Sequence, residues 1–234
     1  MSNKKHICVL ICYNNYEHIV ETYESICNLE MDLFIIENYS ENTDKIRKYF
    51  ENKPVLKYIL FEKNIANNAM NIVIKDFKDI ICNYEYITFS DCDLVPNDSY
   101  ELFNEIYKIL EHYDVGVCCT ALDDSNLPRV PGSENWIPRP TRIHSDYIEA
   151  NSGNHFMTFK QKYFHLITDI NFLDTVLIQK FKRVGLKWVI TKHNNSKHLT
   201  WDLYHDGNEY YEYKLKHGNS IWSKNVVCNY EIIK

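Results

Sequence analysis

Glycine is scarce in this chain, at six of 234 residues. Loops that cradle phosphate through backbone N–H groups are built on clustered glycine, so a glycine-rich phosphate loop is excluded. No run of 18 apolar residues occurs, and no transmembrane segment is expected. The opening MSNKK leads straight into a strand-like segment, without the pattern of a signal peptide. Positive charge is thin as well. Lys and Arg number 26 against 32 Asp and Glu, for a formal net charge of −6. No basic block breaks that balance, so no nucleic-acid partner is expected. Eight cysteines occur without a Cys-x-x-Cys pair, which argues against a zinc site. Cys8, Cys12, Cys27 and Cys82 lie inside apolar runs, and Cys118 and Cys119 are adjacent. They read as reduced core thiols, and the expectation is a cytoplasmic protein, at most peripheral at a membrane. Internal repeats and low-complexity linkers are missing too, so residues 1–234 are read as one domain.

What is present is an alternation. Apolar runs at 6–14, 32–38, 55–61, 84–90 and 115–123 read as strands. Between them, 16–29, 42–52, 64–78 and 97–113 read as helices, with Ile19, Tyr23, Ile26 and Cys27 at helical spacing in the first. Thr43 is a candidate cap for the second helix, and Asn97 or Asp98 for the fourth. Repeated β-α-β units predict an α/β fold, a mostly parallel twisted sheet flanked by helices. Ligands of such sheets bind beyond the carboxyl ends of the strands. Residues 13–16, 37–42, 63–68 and 91–93 all follow strands and are expected to share one crevice.

The second half differs. Residues 123–150 are irregular, with Pro128, Pro131, Pro138 and Pro140. Arg129, Arg139 and Arg142 lie there too, three of the five Arg in the chain. They read either as a solvated loop or as forks for a phosphorylated or acidic acceptor. Residues 151–165 read as a strand leading into a helix, 172–185 as an amphipathic helix ended by Gly185, and 186–190 as a strand. The polar remainder, rich in His and Tyr, gives no clear element.

The segment "YITFSDCDLVP" places Asp91 and Asp93 one residue apart at the end of the fourth strand. The pair reads as a solvated turn, as a nucleophile with its neighbour, or as a half-site for a cation. Mg²⁺ and Mn²⁺ prefer hard oxygen ligands, commonly one or two carboxylates completed by water and substrate phosphates. A cation so held stabilises a departing nucleoside diphosphate.

At this point the sequence resembles the inverting glycosyltransferases of the GT-A fold, in particular the large family-2-like group, over roughly residues 6–200. "ICVLICYNNYEHIVETYESI" looks like that family's opening strand, loop and helix. "FIIENYSENTD" stands where an acidic pair is usual, "NIANNAMN" resembles its Asn-initiated helix, and "YITFSDCDLVP" its metal-binding Asp-x-Asp strand. "SGNHFMTFKQKYF" looks like the glycine-containing strand near the acceptor, and "FLDTVLIQKFKRVGLKW" like the helix led by the general base. Three departures stand out. Asn38 replaces the second acid of the pair, Ala66 replaces a common Gly, and Leu173-Asp174 replaces Glu-Asp.

The resemblance implies a metal-dependent transfer of a sugar from a nucleotide-diphosphate donor, a UDP-sugar favoured, to a glycan, lipid-linked or protein acceptor. It implies a nucleotide-binding half, 1–122, and a half for the acceptor and C-terminal closure, 123–234. Asp93 would ligate Mn²⁺ or Mg²⁺, and Asp91 would bind ribose or a metal-bound water. His198 would be a further metal ligand, with His193 its rival. Asp174 would be the general base, or else an acid favoured there by the helix dipole alone. Glu37 would accept from base or ribose, and Tyr13 could stack on the base. Asn64 and Asn68 could touch the nucleotide, though helix capping is the simpler account. Gly153 would let backbone approach near the acceptor. Trp201, Tyr204, Tyr210, Tyr211, Tyr213 and Trp222 could close over the donor or pack as core.

Rival readings are weaker. A haloacid-dehalogenase-type phosphohydrolase carries its Asp-x-Asp on an early strand running into a small pair, whereas Asp93 runs into Leu94-Val95. A sugar-nucleotide nucleotidyltransferase would want a glycine-rich loop where "CYNNYE" stands. A non-catalytic sugar-nucleotide binding module has no need of Asp91, Asp93 and Asp174 together.

Overall fold

A computed structural model describes residues 4–168, 171–217 and 227–234, without the side chains of Tyr213, Lys214 and His217. Trp222 and the Tyr213 side chain therefore lie outside the described residues. The elements run β1 (His6–Cys12), α1 (Tyr16–Ile26), β2 (Asp32–Asn38), α2 (Thr43–Phe50), β3 (Lys57–Phe61), α3 (Asn68–Asp76), α4 (Lys78–Ile81) and β4 (Tyr86–Asp91). They continue β5 (Leu94–Pro96), α5 (Ser99–Leu110), β6 (Val115–Leu122), β7 (Pro140–Ile143), β8 (Tyr147–Ala150), β9 (Met157–Lys160), α6 (Asp174–Arg183), β10 (Lys187–His198), α7 (Glu209–His217) and β11 (Tyr230–Ile232).

One sheet holds all the strands, in the order β11-β3-β2-β1-β4-β9-β6-β10-β8-β7, with β5 on β10. The block β3-β2-β1-β4 is parallel, as the β-α-β alternation predicts. The second half makes the sheet mixed: β9 runs antiparallel to β4 and β6, and β8, β7, β5 and β11 also pair antiparallel.

Period-two alternation builds a core on each face. Ile7, Val9 and Ile11 of β1 join the layer under α3 and α6. Cys8, Leu10 and Cys12 join the layer under α1, α2 and α5. All eight cysteines are free, and burial pushes the thiols of Cys8, Cys12, Cys118 and Cys119 upward.

The helix ends follow side-chain chemistry. Asp98 caps α5, accepting from the Glu101 N–H at 3.0 Å. Thr43 is inside α2 rather than its cap, and its hydroxyl accepts from the Ser40 N–H at 2.9 Å. Gly185 ends α6 at φ 81°, with Leu186 N–H donating to Phe181 and Gly185 N–H to Lys182, both backbone carbonyls. Gly116 is needed for contact rather than for φ. A Cβ there would stand 2.6 Å from Phe181 Cδ1, so α6 rides directly on the backbone of β6.

Three further expectations are corrected. The helix read at 64–78 starts at Asn68 and breaks at Phe77 into α3 and α4. The irregular 123–150 segment contains the β7–β8 hairpin. The strand read at 186–190 runs on to His198, because Asn195 and Ser196 pair with β6, and Ser196 to His198 with β5. Among the described residues no helix is long and apolar enough to cross a membrane.

Candidate active site

The strand order reverses at β1. The chain leaves β1 for β2 and β3 on one side, then returns to β4 on the other. The carboxyl ends of β1 and β4 therefore flank the switch point at which open α/β sheets bind ligands. Ile11 is in register with Asp91 there.

Asp91 ends β4, and Asp93 begins the turn into β5. Because β5 pairs with β10, with Leu94 opposite His198, the last residue of β10 is delivered to Asp93. His198 Nδ1 stands 3.5 Å from Asp93 Oδ2, an ion-pair separation too long for a hydrogen bond. The His198 ring lies flat on Trp201, with centroids 5.0 Å apart. The Thr200 hydroxyl donates to Asp93 Oδ2, and Leu199 N–H donates to the Asp93 carbonyl at 2.7 Å. Asp93 Oδ1 and His198 Nδ1 remain buried without a hydrogen-bond partner among the described residues. His193, the rival, sits instead in the exposed part of β10, where its N–H donates to Glu105 at 3.0 Å.

The loop 152–155 joins this pair to Asp174. Asp91 N–H donates to the Asn154 carbonyl at 3.2 Å. The His155 ring meets His198 edge-on, with centroids 5.8 Å apart. A Cβ on Gly153 would stand 2.9 Å from Asp174 Oδ2, so glycine is what lets the carboxylate close on the loop. Asp174 is the first residue of α6, and its Oδ1 is buried without a partner among the described residues. Burial raises its pKa from 3.8 to about 6. The His155 imidazole is held neutral chiefly by burial.

Backbone strain gathers along this rim. Among the described residues the positive-φ residues other than glycine are Asn14 at 61°, Ala66 at 48° and Phe156 at 43°, in the loops after β1 and β3 and before β9. Such conformations cost of order 1 kcal/mol or more and cluster at functional sites. Ala66 explains the family's usual Gly at that position: the turn demands the left-handed region.

The remaining expected residues divide. Tyr13 is 40% exposed at the end of β1, free to stack on a ligand. Asn14 Oδ1, beside it, accepts from Asn42 Nδ2 at 2.8 Å and ties the first two loops together. Glu37 is fully buried on the α2 face, with Oε2 accepting from the Tyr58 hydroxyl, and burial raises its pKa. Asn38 turns to the other face, where its Oδ1 accepts from Ile65 N–H at 3.0 Å and braces the 64–67 turn. Asn64 Oδ1 accepts from Ala66 N–H at 2.9 Å, and Asn68 Nδ2 donates to the Ile65 carbonyl at 3.2 Å. Both asparagines thus serve the turn, and Asn67 rather than Asn64 precedes the helix. Arg129, Arg139 and Arg142 are all exposed. Trp201 and Tyr204 pack with Trp136, and Tyr210 and Tyr211 of α7 pack on Tyr204. Burial keeps the phenols of Tyr204 and Tyr210 protonated, and the negative charge of Asp93 reinforces this. Sequence reasoning passed over Thr200, Asn154 and His155. Only the neighbouring Gly153 signalled that loop.

Among the described residues no three His, Cys, Asp or Glu side chains converge to hold a metal ion by themselves. Asp93 and His198 offer two unpaired donor atoms, which fits Mn²⁺ or Mg²⁺ completed by phosphate oxygens and water.

The sheet thus carries paired acids at its switch point, and a buried carboxylate, Asp174, leads α6 beside the 152–155 loop. Residues 7–172 match the family model of glycosyl transferase family 2, and the chain belongs to that family. It is a glycosyltransferase domain with the GT-A fold. An uncharacterized protein of Acanthamoeba polyphaga mimivirus is 32% identical over 257 residues, covering 100% of this chain and 29% of the relative. A second from the same virus is 31% identical, over 96% of this chain and 33% of the relative. The chain thus spans about a third of these relatives' length. Among solved structures, S. aureus TarS 1-349 superposes with a TM-score of 0.57 at 17% identity, over 84% of this chain and 60% of that one. A candidate nucleotide-diphospho-sugar transferase from Desulfovibrio desulfuricans G20 gives 0.52 at 12% identity, over 96% and 99%. These two likenesses concern the fold.

Proposed function

We propose that this domain transfers a sugar from a nucleoside-diphosphate sugar, a UDP-sugar favoured, to a hydroxyl of a glycan, lipid-linked or protein acceptor, with inversion. Residues 1–122 would bind the nucleotide, and 123–234 the acceptor, with the C-terminal part closing over the donor. The observation that carries the reading is the 152–155 loop, whose successive residues touch Asp174, Asp91 and His198. A general base and a diphosphate-binding pair are thereby held on opposite ends of one short segment.

Each residue has a stated task. Asp174, ionised above pH about 6, takes the proton of the acceptor hydroxyl as that oxygen attacks the anomeric carbon. The bond from that carbon to the diphosphate breaks on the opposite face, and the nucleoside diphosphate leaves. Asp91 orients the ribose or a bound water, and Tyr13 stacks on the base. Asp93 and His198 would hold a divalent cation, which offsets charge on the diphosphate when bound. Thr200 fixes one Asp93 oxygen and leaves the other directed to that task. Tyr204 and Tyr210, held as hydroxyl donors, close the site from α7 and the turn before it.

The test is incubation with Mn²⁺ and a panel of UDP- and GDP-sugars, reading nucleoside diphosphate release and donor-dependent thermal stabilisation. One donor should raise Tm and be turned over, and Asp93→Ala should abolish both. No stabilisation by any nucleotide sugar, with Asp93→Ala indistinguishable from the wild type, would sink the proposal.

A further inference from the structure

Asn154 is 2% exposed, yet neither end of its amide has a hydrogen-bond partner among the described residues. Buried amides are nearly always paired, because leaving donor and acceptor unmet is strongly unfavourable. Slack in the chain does not account for it. The Asn154 carbonyl accepts from Asp91 N–H at 3.2 Å, and the His155 carbonyl accepts from Thr120 N–H at 2.9 Å. Phe156 N–H donates to Ser90 Oγ at 3.2 Å, and its carbonyl accepts from Thr158 Oγ1 at 2.9 Å. Phe156 itself is held at φ 43°. A loop clamped at each residue, and strained at its end, holds this amide in place.

Position narrows what the amide is for. Gly153 before it meets Asp174, and His155 after it meets His198. Asn154 is thus flanked in the chain by the residue that meets the proposed base and the residue that meets the proposed diphosphate pair, and its own carbonyl holds Asp91. Chemistry narrows it further. A diphosphate would use only the N–H end of an amide, since phosphate oxygens accept and do not donate. A sugar hydroxyl does both, and two neighbouring hydroxyls match an amide's donor and acceptor together.

We infer that Asn154 is a specificity-determining residue that hydrogen-bonds, through both ends of its side chain, to ring hydroxyls of the transferred sugar. The inference rests on the donor reading above and deepens it. Sites built to pair a substrate hydroxyl reject analogues that lack it, because the site's own polar group is then stranded.

Two measurements test it. Thermal unfolding of Asn154→Leu and Asn154→Ala without ligand comes first. Leucine, of similar size and with no polar atoms, should raise Tm. A fall in Tm in both variants would overturn the inference, since the amide would then serve the fold. The second is calorimetric titration with UDP, UDP-glucose, UDP-galactose and UDP-N-acetylglucosamine, each with Mn²⁺. Asn154→Ala should bind UDP as the wild type does, and the preferred UDP-sugar about tenfold to a hundredfold more weakly. A donor lacking one of the two hydroxyls should narrow the difference between the two proteins, and a donor lacking both should bind them alike. Equal loss for UDP and UDP-sugar, or no loss for either, would overturn the assignment of Asn154 alone. If the wild type binds neither these four nor any sugar of the wider UDP- and GDP-sugar panel, the donor reading itself fails and this inference falls with it.

Discussion

Replacing Asp174 by Asn tests the proposed base through stability as well as rate. Burial raises the Asp174 pKa from 3.8 to about 6. At about 1.4 kcal/mol per pH unit, that amounts to about 3 kcal/mol of preference for the protonated form. A carboxylate whose folded pKa is raised contributes stability below its unfolded pKa, near 3.8, and loses it as pH rises through about 6. Wild type and Asp174→Asn should therefore unfold alike in urea near pH 4. By pH 8 the variant should be more stable by about 3 kcal/mol. Transfer should meanwhile fall by at least about a thousandfold in the variant, with donor binding near wild type. In the wild type, kcat/KM should drop about tenfold per pH unit below pH 6. A variant less stable than wild type at pH 8, or a wild-type acid limb near pH 4, would refute the reasoning. Loss of donor binding would show the base to lie elsewhere.

The remaining predictions concern the glycines and one position that lacks a glycine. Gly153→Ala should push the Asp174 carboxylate from its seat and lower kcat about a hundredfold, with little change in Tm. Unchanged turnover would show that the close approach is dispensable. Gly116→Ala should do the reverse. Its Cβ meets Phe181 and Leu186, so urea unfolding should show a loss of about 2 kcal/mol with normal kcat in the folded fraction. Ala66→Gly relieves a left-handed alanine at about 1 kcal/mol and concedes about half of that in unfolded-chain entropy. A gain of roughly 0.5 kcal/mol is expected, and a clear loss would contradict the strain.

The parallel half of the sheet was legible because each strand there is an apolar run of β-branched residues, as in "HICVLIC" and "DLFIIEN". The strand-end rule placed Asp91 at the carboxyl end of the fourth strand, where β4 ends. The same rule left open the face on which Glu37 lies. It gives height along a strand and not the face, and alternation turns Glu37 with Leu33 and Ile35 toward α2. Residues 191–198 looked formless because they carry almost no apolar side chains. They form a strand all the same, since β6 and β5 supply backbone partners and the Glu105 carboxylate accepts the N–H groups of Lys192, His193 and Asn194 where pairing lapses. The β7–β8 hairpin was hidden by its prolines and by exposed residues on β7.

The sequence by itself determined the α/β class, the parallel block, the Asp-x-Asp at its carboxyl edge and the helix led by Asp174. These rest on short-range periodicity and on the rule that strands end at a common edge, both carried by neighbouring residues. Tertiary structure decided which histidine meets Asp93, because antiparallel pairing of β5 with β10 brings His198 there from more than a hundred residues away. It also decided that one four-residue loop would contact Asp174, Asp91 and His198, and that Asn154 within it would be buried with its amide unpaired among the described residues. Contacts of that kind depend on how distant strands share one sheet, and no local pattern encodes them.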